Sequence, residues 1–206
     1  SAHLTLVRRR IHGGEIGPAL QQLDRIDESI VFLGQTLDEL LIAAQYESGA
    51  EPIRIEYCDV LSVVEQVRLA YANEAERQGL EIRVRAPTGR VEVLSDRTSL
   101  FRVLMNLVGN ALKFNRGVRE RRTGLGVIVR VRLSKGICNV DIADTGIGIT
   151  QHERERIWEP YVQLKEPSGE SRGGLGLGLF VVNSALKRLP NHTIRLRSLA
   201  GRGARF

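Results

Sequence analysis

The chain has 206 residues and a mass of 22.9 kDa, which suits one large domain or a compact domain with a helical appendage. Apolar residues make up 42% of it, enough for a core, yet no apolar run is long enough to cross a membrane. The net charge of +6 does not indicate a nucleic-acid partner, because basic residues are interleaved with 24 acidic ones and aromatic residues are only 5%.

The two cysteines, Cys58 and Cys138, lie far apart and belong to no cluster with metal-ligand spacing. We therefore expect two reduced thiols and a cytoplasmic setting. No signal peptide is present, and the chain begins at Ser1 without a methionine. We expect a piece of a longer protein, which makes no membrane contact itself and whose membrane anchor, if there is one, lies upstream.

The first fifty residues read as helical. A helix ends near Ile11, and a second one begins at Pro18 and ends near Ser48. Apolar residues recur along this second helix at alternating steps of three and four: Leu23, Ile26, Ile30, Leu33, Leu37, Leu40 and Ala44. One helix cannot bury such a seam alone, which predicts a partner helix pair or a second subunit; the alternative is a hairpin within one chain.

After Pro52 the pattern alternates between strands and helices. We predict two domains, residues 1–50 and 51–206. For the second we expect antiparallel strand pairs with helices segregated between them, which is an α+β two-layer sandwich. Its predicted elements are a strand at 53–57, a helix at 59–77, strands at 80–85 and 91–94, a helix at 98–114, a loop at 115–124, strands at 127–133 and 137–143, a helix at 176–189, and strands at 193–196 and 204–206. Residues 134–136 (SKG) predict a hairpin between the strands at 127–133 and 137–143. The buried side of the helix at 98–114 is predicted to carry Leu100, Val103, Leu104, Leu107, Val108 and Ala111.

The helix at 98–114 carries polar residues on one face. Asn106, Asn110 and Lys113 are three or four residues apart, so two amides and an ammonium group share that face. An amide oxygen can bind Mg²⁺ and a lysine can reach a phosphate, which makes this face a candidate metal-triphosphate site. A solvated helix face is the alternative.

Two later stretches combine glycines with chemistry-bearing neighbours. Asp144 follows an apolar strand and could accept a hydrogen bond from an adenine amino group, with Gly146 and Gly148 leaving room for a flat base; an ordinary Asp-Gly turn is the alternative. The run from Gly174 to Leu179 alternates glycine and leucine before a helix. It is either a phosphate-facing loop or a flexible hinge.

Four motifs in order resemble the conserved boxes of sensor histidine kinases. Residues 104–114 (LMNLVGNALKF) resemble the N box, 144–148 (DTGIG) the G1 box, 158–161 (WEPY) the F box, and 174–179 (GLGLGL) the G2 box. The ending GRGARF is similar to the family's closing strand, and residues 37–49 to the end of the second dimerisation helix. The resemblance covers nearly the whole chain.

This resemblance implies an ATP-binding fold of the superfamily shared with gyrase and chaperone ATPases. It implies ATP and Mg²⁺ as cofactors, Asn110 on the metal, Lys113 near phosphate, Asp144 on adenine, and residues 150–178 as a lid hinged at the glycine run. A homodimer through the N-terminal helices and a response regulator are the implied partners. The nucleotide-binding residues implied by the boxes are Asn110, Lys113, Phe114, Asp144, Gly146, Gly148, Ile149, Tyr161, Gly174, Gly176, Leu177, Gly178 and Leu179.

Asn106 decides between reaction types within this superfamily. In the hydrolytic relatives that the resemblance brings in, this position is a glutamate that takes a proton from the attacking water. The amide of Asn106 cannot accept a proton in this way. The residue favours phosphoryl transfer to a protein nucleophile, with Asn106, Asn110 and Lys113 as the catalytic residues. A hydrolytic ATPase is the less favoured class.

Two features depart from the family pattern. None of the four histidines lies in a setting like the family's phosphoacceptor box, so we expect the acceptor to lie upstream of Ser1; a regulatory nucleotide-binding module or pseudokinase without phosphotransfer is the alternative. Ala204 stands where the family usually has a hydroxyl beside the adenine pocket, which predicts weaker nucleotide binding.

Overall fold

The structure, a computed structural model, describes residues 52–115, 126–163 and 175–206. In the N-terminal part it describes only single helical positions, namely Leu23, Ile26, Ile30, Gly34, Leu37, Leu40, Leu41, Ala44 and Gln45. The chain divides into two compact units, Ser1–Ile42 and Ala43–Phe206. The domain boundary near residue 50 stays a prediction.

The described N-terminal positions fit the predicted helix. Two of its seam residues, Ile30 and Leu37, are 61% and 57% exposed. Exposed apolar residues at these seam positions are expected for a helix that packs against another helix or a second subunit. The dimer itself stays a prediction, and the helix predicted before residue 12 lies outside the described residues.

The second unit begins with strand β1 (Glu56–Asp59), helices α1 (Val60–Ala70) and α2 (Ala72–Gln78), and strand β2 (Glu81–Arg85). Asp59 caps α1 by accepting a hydrogen bond from the Leu61 N–H at 3.1 Å. The single helix predicted over 59–77 is wrong, because Tyr71 leaves the helical conformation with φ −100° and ψ 3°. Its hydroxyl donates to the Met105 carbonyl at 3.1 Å, which anchors the break.

Strand β3 (Glu92–Ser95) pairs antiparallel with β1 in a separate two-stranded sheet and leads into the long helix α3 (Arg97–Asn115). The Asp96 carboxylate stabilises this junction. Its Oδ1 accepts from the Ser99 N–H at 2.7 Å and its Oδ2 from the Arg54 N–H at 2.9 Å. The apolar side predicted for α3 is confirmed as buried: Leu100, Val103, Leu104, Leu107, Val108 and Ala111.

The remaining elements form most of the main sheet. They are strands β4 (Gly126–Ser134) and β5 (Ile137–Asp144), a short 3-10 helix (Arg156–Trp158), helix α4 (Gly178–Arg188), and strands β6 (Arg197–Ser198) and β7 (Ala204–Arg205). Lys135 and Gly136 both have positive φ, as the predicted tight hairpin between β4 and β5 requires. The strand predicted at 193–196 is wrong, since pairing to β7 begins only at Arg197.

The main sheet has the strand order β2-β4-β5-β7-β6. Its β2–β4 pair is parallel, because a crossover through β3 and α3 joins the two strands; the other pairs are antiparallel, as predicted. Side chains at Val127, Val129, Val131 and Ile142 are buried on the inner face, where α3 packs on β4 and β5. The alternate positions form the outer face. The α+β two-layer fold class is confirmed.

Candidate nucleotide-binding site

The amides of Asn106 and Asn110 meet the first residue of α4. A Cβ atom on Gly178 would lie 2.8 Å from Asn106 Oδ1 and 3.6 Å from Asn110 Nδ2. Only a residue without a side chain fits there unless the amides move. Asn106 Nδ2 donates to the Arg102 carbonyl at 3.0 Å, which fixes the plane of that amide. The structure therefore brings together two of the predicted N-box residues and one glycine of the G2 run.

Asp144 ends β5, and its partly buried carboxylate has one oxygen held by hydrogen bonds. Its Oδ1 accepts from the Gly146 N–H at 2.8 Å and from the Ala204 N–H at 3.1 Å. Burial raises the pKa of Asp144 above its ordinary value, although these two hydrogen bonds act in the opposite direction. Within the described residues, Oδ2 has no hydrogen-bond partner, so it can accept one from a ligand.

Neighbouring backbone leaves no room for a side chain at Gly146 or Gly148, the two glycines after Asp144. A Cβ on Gly146 would lie 2.4 Å from the Phe114 carbonyl oxygen, and one on Gly148 would lie 2.0 Å from the Leu199 carbonyl oxygen. Gly148 also has a φ of +70°. The space predicted for a flat base is thus occupied at these Cα atoms by neighbouring chain segments. A nucleotide contact at either glycine stays a prediction.

Asn115 lies in the stretch that the sequence predicts to be a loop, and its role was not predicted. Asn115 is 0% exposed and is the last residue of α3. Its Nδ2 donates to the Ala111 carbonyl at 2.8 Å and the Gly126 carbonyl at 3.4 Å, and its Oδ1 accepts from Thr145 Oγ1 at 3.0 Å. One buried amide thus ties the end of α3 to β4 and to the turn after Asp144. The surrounding polar, arginine-rich sequence hid it.

Ser198 is a second residue that the sequence did not reveal. Its hydroxyl accepts from the Ile149 N–H and donates to the Gly203 carbonyl, both at 2.7 Å. It connects β6 to the turn that follows Asp144. Ile149 itself lies in a small apolar cluster with Ile157 and Ala204, so its side chain packs in the protein.

The described part of the glycine run packs against the end of the F-box stretch. Gly176 has a φ of +74°, and a Cβ there would lie 2.5 Å from the Val162 carbonyl oxygen. Leu177 is 1% exposed, so its side chain belongs to the core, and Leu179 is partly buried. Tyr161 is exposed and has a φ of +63°. Gly174 and residues 164–173 lie outside the described residues.

Lys113 and Phe114 lie near the C-terminal end of α3, next to the face predicted to bind phosphate. Lys113 Nζ lies 5.4 Å from the centroid of the Phe114 ring. The Phe114 carbonyl accepts from the Ile147 N–H at 3.3 Å, which joins α3 to the turn after Asp144. Contacts of either side chain with nucleotide stay predictions.

A metal at this site would rely on the amide of Asn110. Among the described residues, no three histidine, cysteine or acidic side chains cluster as metal ligands. Mg²⁺ commonly takes few protein ligands and completes its shell with substrate phosphates and water. One amide oxygen beside the uncapped start of α4 is compatible with that chemistry.

Comparison with known families gives a direct result. The family model described as "Histidine kinase-, DNA gyrase B-, and HSP90-like ATPase" matches residues 95–206. The alginate biosynthesis sensor protein KinB of Pseudomonas aeruginosa is 28% identical over 204 residues, which are 98% of this chain and 32% of KinB. The histidine protein kinase DivJ of Caulobacter vibrioides is 29% identical, covering 84% of this chain and 28% of DivJ. The chain thus spans about a third of these relatives.

Solved structures share the fold. Full-length ShkA in complex with AMPPNP superposes with a TM-score of 0.69 at 23% identity, covering 94% of this chain and 38% of ShkA. The Acinetobacter baumannii histidine kinase AdeS gives a TM-score of 0.68 at 18% identity, covering 98% of this chain and 92% of that one. Among the described residues, no helix is both long and apolar enough to span a membrane, and Cys58 and Cys138 are free thiols.

Proposed function

Because the chain belongs to the family of histidine kinase-, DNA gyrase B- and HSP90-like ATPases, we propose that it is the catalytic core of a sensor histidine kinase. It binds Mg-ATP and transfers the γ-phosphate to a histidine for relay to a response regulator. Relatives named as sensor kinases, matched over most of this chain, support the assignment.

The observation that carries the proposal is the meeting of Asn106 and Asn110 with Gly178. Gly178 is the first residue of α4, and no side chain caps this helix. The unpaired N–H groups and the dipole of a helix start favour a phosphate. Two amides and a helix start therefore converge on a space suited to the phosphate end of a nucleotide.

Asp144 supplies the recognition element for the base. A carboxylate with Oδ1 fixed by two backbone N–H groups and Oδ2 open suits an exocyclic amine donor. Guanine presents a carbonyl where adenine presents its amino group, so Asp144 favours ATP over GTP. Desolvation of the carboxylate increases the penalty for leaving it without this donor.

The chemistry then rests on positioning. Asn110 would hold Mg²⁺, which when bound neutralises charge on the phosphates, and Lys113 would approach them from the next turn of α3. Asn106 cannot deprotonate water, because its amide has no basic site and its Nδ2 is already donating to the Arg102 carbonyl. The site holds the γ-phosphate for an incoming histidine and leaves water unactivated.

The wider organisation belongs to the same proposal. Residues 1–50 are part of a helical dimerisation and phosphotransfer domain, and 51–206 form the ATP-binding domain. The exposed seam residues Ile30 and Leu37 support a homodimer through the N-terminal helices. The response regulator is the downstream partner, and the catalytic core works in the cytoplasm.

Ala204 modifies the expected affinity. Its backbone N–H donates to Asp144 Oδ1 at 3.1 Å, so the β7 backbone still supports the carboxylate. The methyl side chain offers no hydroxyl for a further hydrogen bond. Because Ala204 is buried beside Ile149 and Ile157, serine is the hydroxyl residue that changes the volume least. Ala204→Ser should tighten nucleotide binding by about three- to tenfold, the gain from one added hydrogen bond.

The test is transfer of labelled γ-phosphate to a supplied dimerisation domain that contains an intact acceptor histidine. We expect label on that histidine with the wild-type chain and none with Asn110→Ala. A regulatory module of the same fold would bind an ATP analogue with Mg²⁺ and leave the acceptor unlabelled, which would overturn the kinase assignment.

Asn139→Ala provides the matched control for Asn110→Ala. Asn139 is an exposed asparagine on β5, so the same amide is removed at a position that takes no part in the proposed site. Its variant should label the acceptor at the wild-type rate. Equal loss in both variants would indicate general damage to the fold.

A further inference from the structure

The outer face of the main sheet is strongly basic. By strand register, Arg85 lies opposite Arg130 between β2 and β4, and Arg197 opposite Arg205 between β6 and β7. The same face carries two carboxylates, Glu81 and Asp141. Its arginines number six, an excess of four formal positive charges: Arg83, Arg85, Arg130, Arg132, Arg197 and Arg205.

The carboxylates neutralise only part of this charge. Glu81 pairs with Arg83, and Asp141 accepts from both Arg132 at 2.6 Å and Arg205 at 2.7 Å. Within the described residues, Arg85, Arg130 and Arg197 have no hydrogen-bonded or ionic side-chain partner. The unneutralised charge therefore lies at both ends of the sheet.

At the β6–β7 end the arginines line a groove of about 440 Å³. Four guanidinium groups reach it from separate segments: Arg154 from the turn before the 3-10 helix, Arg197 from β6, Arg202 from the β6–β7 loop and Arg205 from β7. This volume lies in the range of small-molecule sites. The open groove thus brings four arginine side chains to one surface.

Several of those donors are unused. One terminal N–H group of Arg154 donates a hydrogen bond to the Ser198 carbonyl, while its Nε is buried without a partner in the described structure. Arg197 and Arg202 are exposed, and no acidic side chain pairs with either among the described residues. The carboxylate among the described lining residues is Asp144, whose Oδ1 accepts from two backbone N–H groups and whose Oδ2 has no partner among the described residues. One carboxylate thus stands against four guanidinium groups.

We propose that this arginine groove, lined by Arg154, Arg197, Arg202 and Arg205, binds a compact anion that carries clustered phosphates. Guanidinium forks bind phosphate oxygens in pairs and remain charged at all relevant pH values. Several phosphates on one small body match guanidinium groups that approach from different segments, whereas a single carboxylate would satisfy one of them. The anion is either a free polyphosphorylated molecule or a phosphorylated lipid headgroup.

The groove adjoins the proposed nucleotide site, because Asp144 and Ala204 also line the groove, but its four arginines are not among the proposed nucleotide ligands. Arg205 and Arg197 share the outer face by register, while their neighbours Ala204 and Ser198 are buried. The link between the two sites is the β6–β7 loop, whose Gly201 N–H donates to the Ile147 carbonyl at 2.6 Å. Anion binding is measurable whether or not the chain binds ATP.

The experiment titrates the full chain with inositol hexakisphosphate by calorimetry, and in parallel with phosphatidylcholine vesicles with and without phosphatidylinositol bisphosphate, whose headgroup carries clustered phosphates. The test variant is Arg197→Gln with Arg202→Gln. Its matched control is Arg54→Gln with Arg90→Gln, which removes the same charge at exposed arginines outside the groove. We expect the groove variant to bind the probe at least about tenfold more weakly and the control to bind within about twofold of wild type.

Binding of inositol hexakisphosphate with this variant dependence supports a free anion, and vesicle binding alone with the same dependence supports a headgroup. Equal losses of probe affinity in the two double variants, or no binding of either probe to the wild-type chain, would overturn the proposed anion site. Asn110→Ala should keep probe binding while losing the ATP analogue. Loss of the probe in Asn110→Ala would place the anion at the nucleotide site and overturn the groove. Melting temperatures verify that the variants are folded.

Discussion

Gly178→Ala would place one methyl group between α4 and the two asparagines of α3. The new Cβ would lie 2.8 Å from Asn106 Oδ1, closer than Cβ atoms pack in proteins, so the amide must shift. That shift strains the Asn106 hydrogen bond to the Arg102 carbonyl, which measures 3.0 Å. Asn110 Nδ2, at 3.6 Å, remains in ordinary contact.

The expected effect on stability is small. Replacing glycine by alanine stabilises a helix interior by up to about 1 kcal/mol, and the first helical position by less. Loss of the Asn106 hydrogen bond costs about 0.5–1.5 kcal/mol. These contributions nearly cancel, so the free energy of unfolding should change by no more than about 1 kcal/mol. Phosphoryl transfer should fall about ten- to a hundredfold, because displacement of a positioning group by a fraction of an ångström is felt strongly.

The assay compares thermal unfolding with labelled-phosphate transfer for the same preparation. Gly34→Ala is the control, since it makes the same change at a helical position with no atom within 4 Å of the new Cβ. It should leave the transfer rate unchanged. Wild-type transfer and nucleotide affinity in Gly178→Ala would refute the placement of the phosphates against this contact.

Three further expectations concern buried polar groups. Asn115→Ala should cost about 2–4 kcal/mol by denaturant unfolding, since it leaves buried partners unpaired, whereas exposed Asn139→Ala should cost under about 0.5 kcal/mol; equal costs would contradict the bridge. Because burial raises the pKa of Asp144, its ionised form is the destabilised one. Asp144→Asn should therefore raise the melting temperature of the nucleotide-free chain at neutral pH while weakening ATP binding, and this thermal gain should shrink as pH falls through the raised pKa. Burial alone raises the pKa of Asp96, but hydrogen bonds from backbone N–H groups hold it below its ordinary value. Asp96→Ala should cost about 1–2 kcal/mol at neutral pH, and this cost should decrease as the pH falls through the folded-state pKa; a pH-independent loss would contradict this linkage.

The long elements of the fold follow from periodicity in the sequence. The buried side of α3 and the β4–β5 hairpin were both predicted correctly, because each extends over several turns or alternations. The errors lie where tertiary contacts override local preference. Tyr71 breaks the first helix through a hydrogen bond to a residue 34 positions away, and β6 is positioned by its pairing with β7.

The motifs of the candidate site were predictable from the sequence, but the residues that hold them in place were not. The spacing of Asn106 and Asn110 on one helix face was visible in the sequence, but their meeting with Gly178 joins segments about seventy residues apart. Asn115 and Ser198 were missed because a buried polar bridge has no local signature. The glycines after Asp144 were recognised, yet the atoms that require them belong to Phe114 and Leu199.

The central claim is that this site directs the γ-phosphate to histidine and away from water. The most direct measurement follows labelled ATP in one reaction with the supplied dimerisation domain and separates protein-bound from free phosphate. We expect label on the acceptor histidine, little free phosphate, and loss of labelling in Asn110→Ala. Sustained phosphate release that disappears in Asn110→Ala, with no label on protein, would show a hydrolytic ATPase and contradict it.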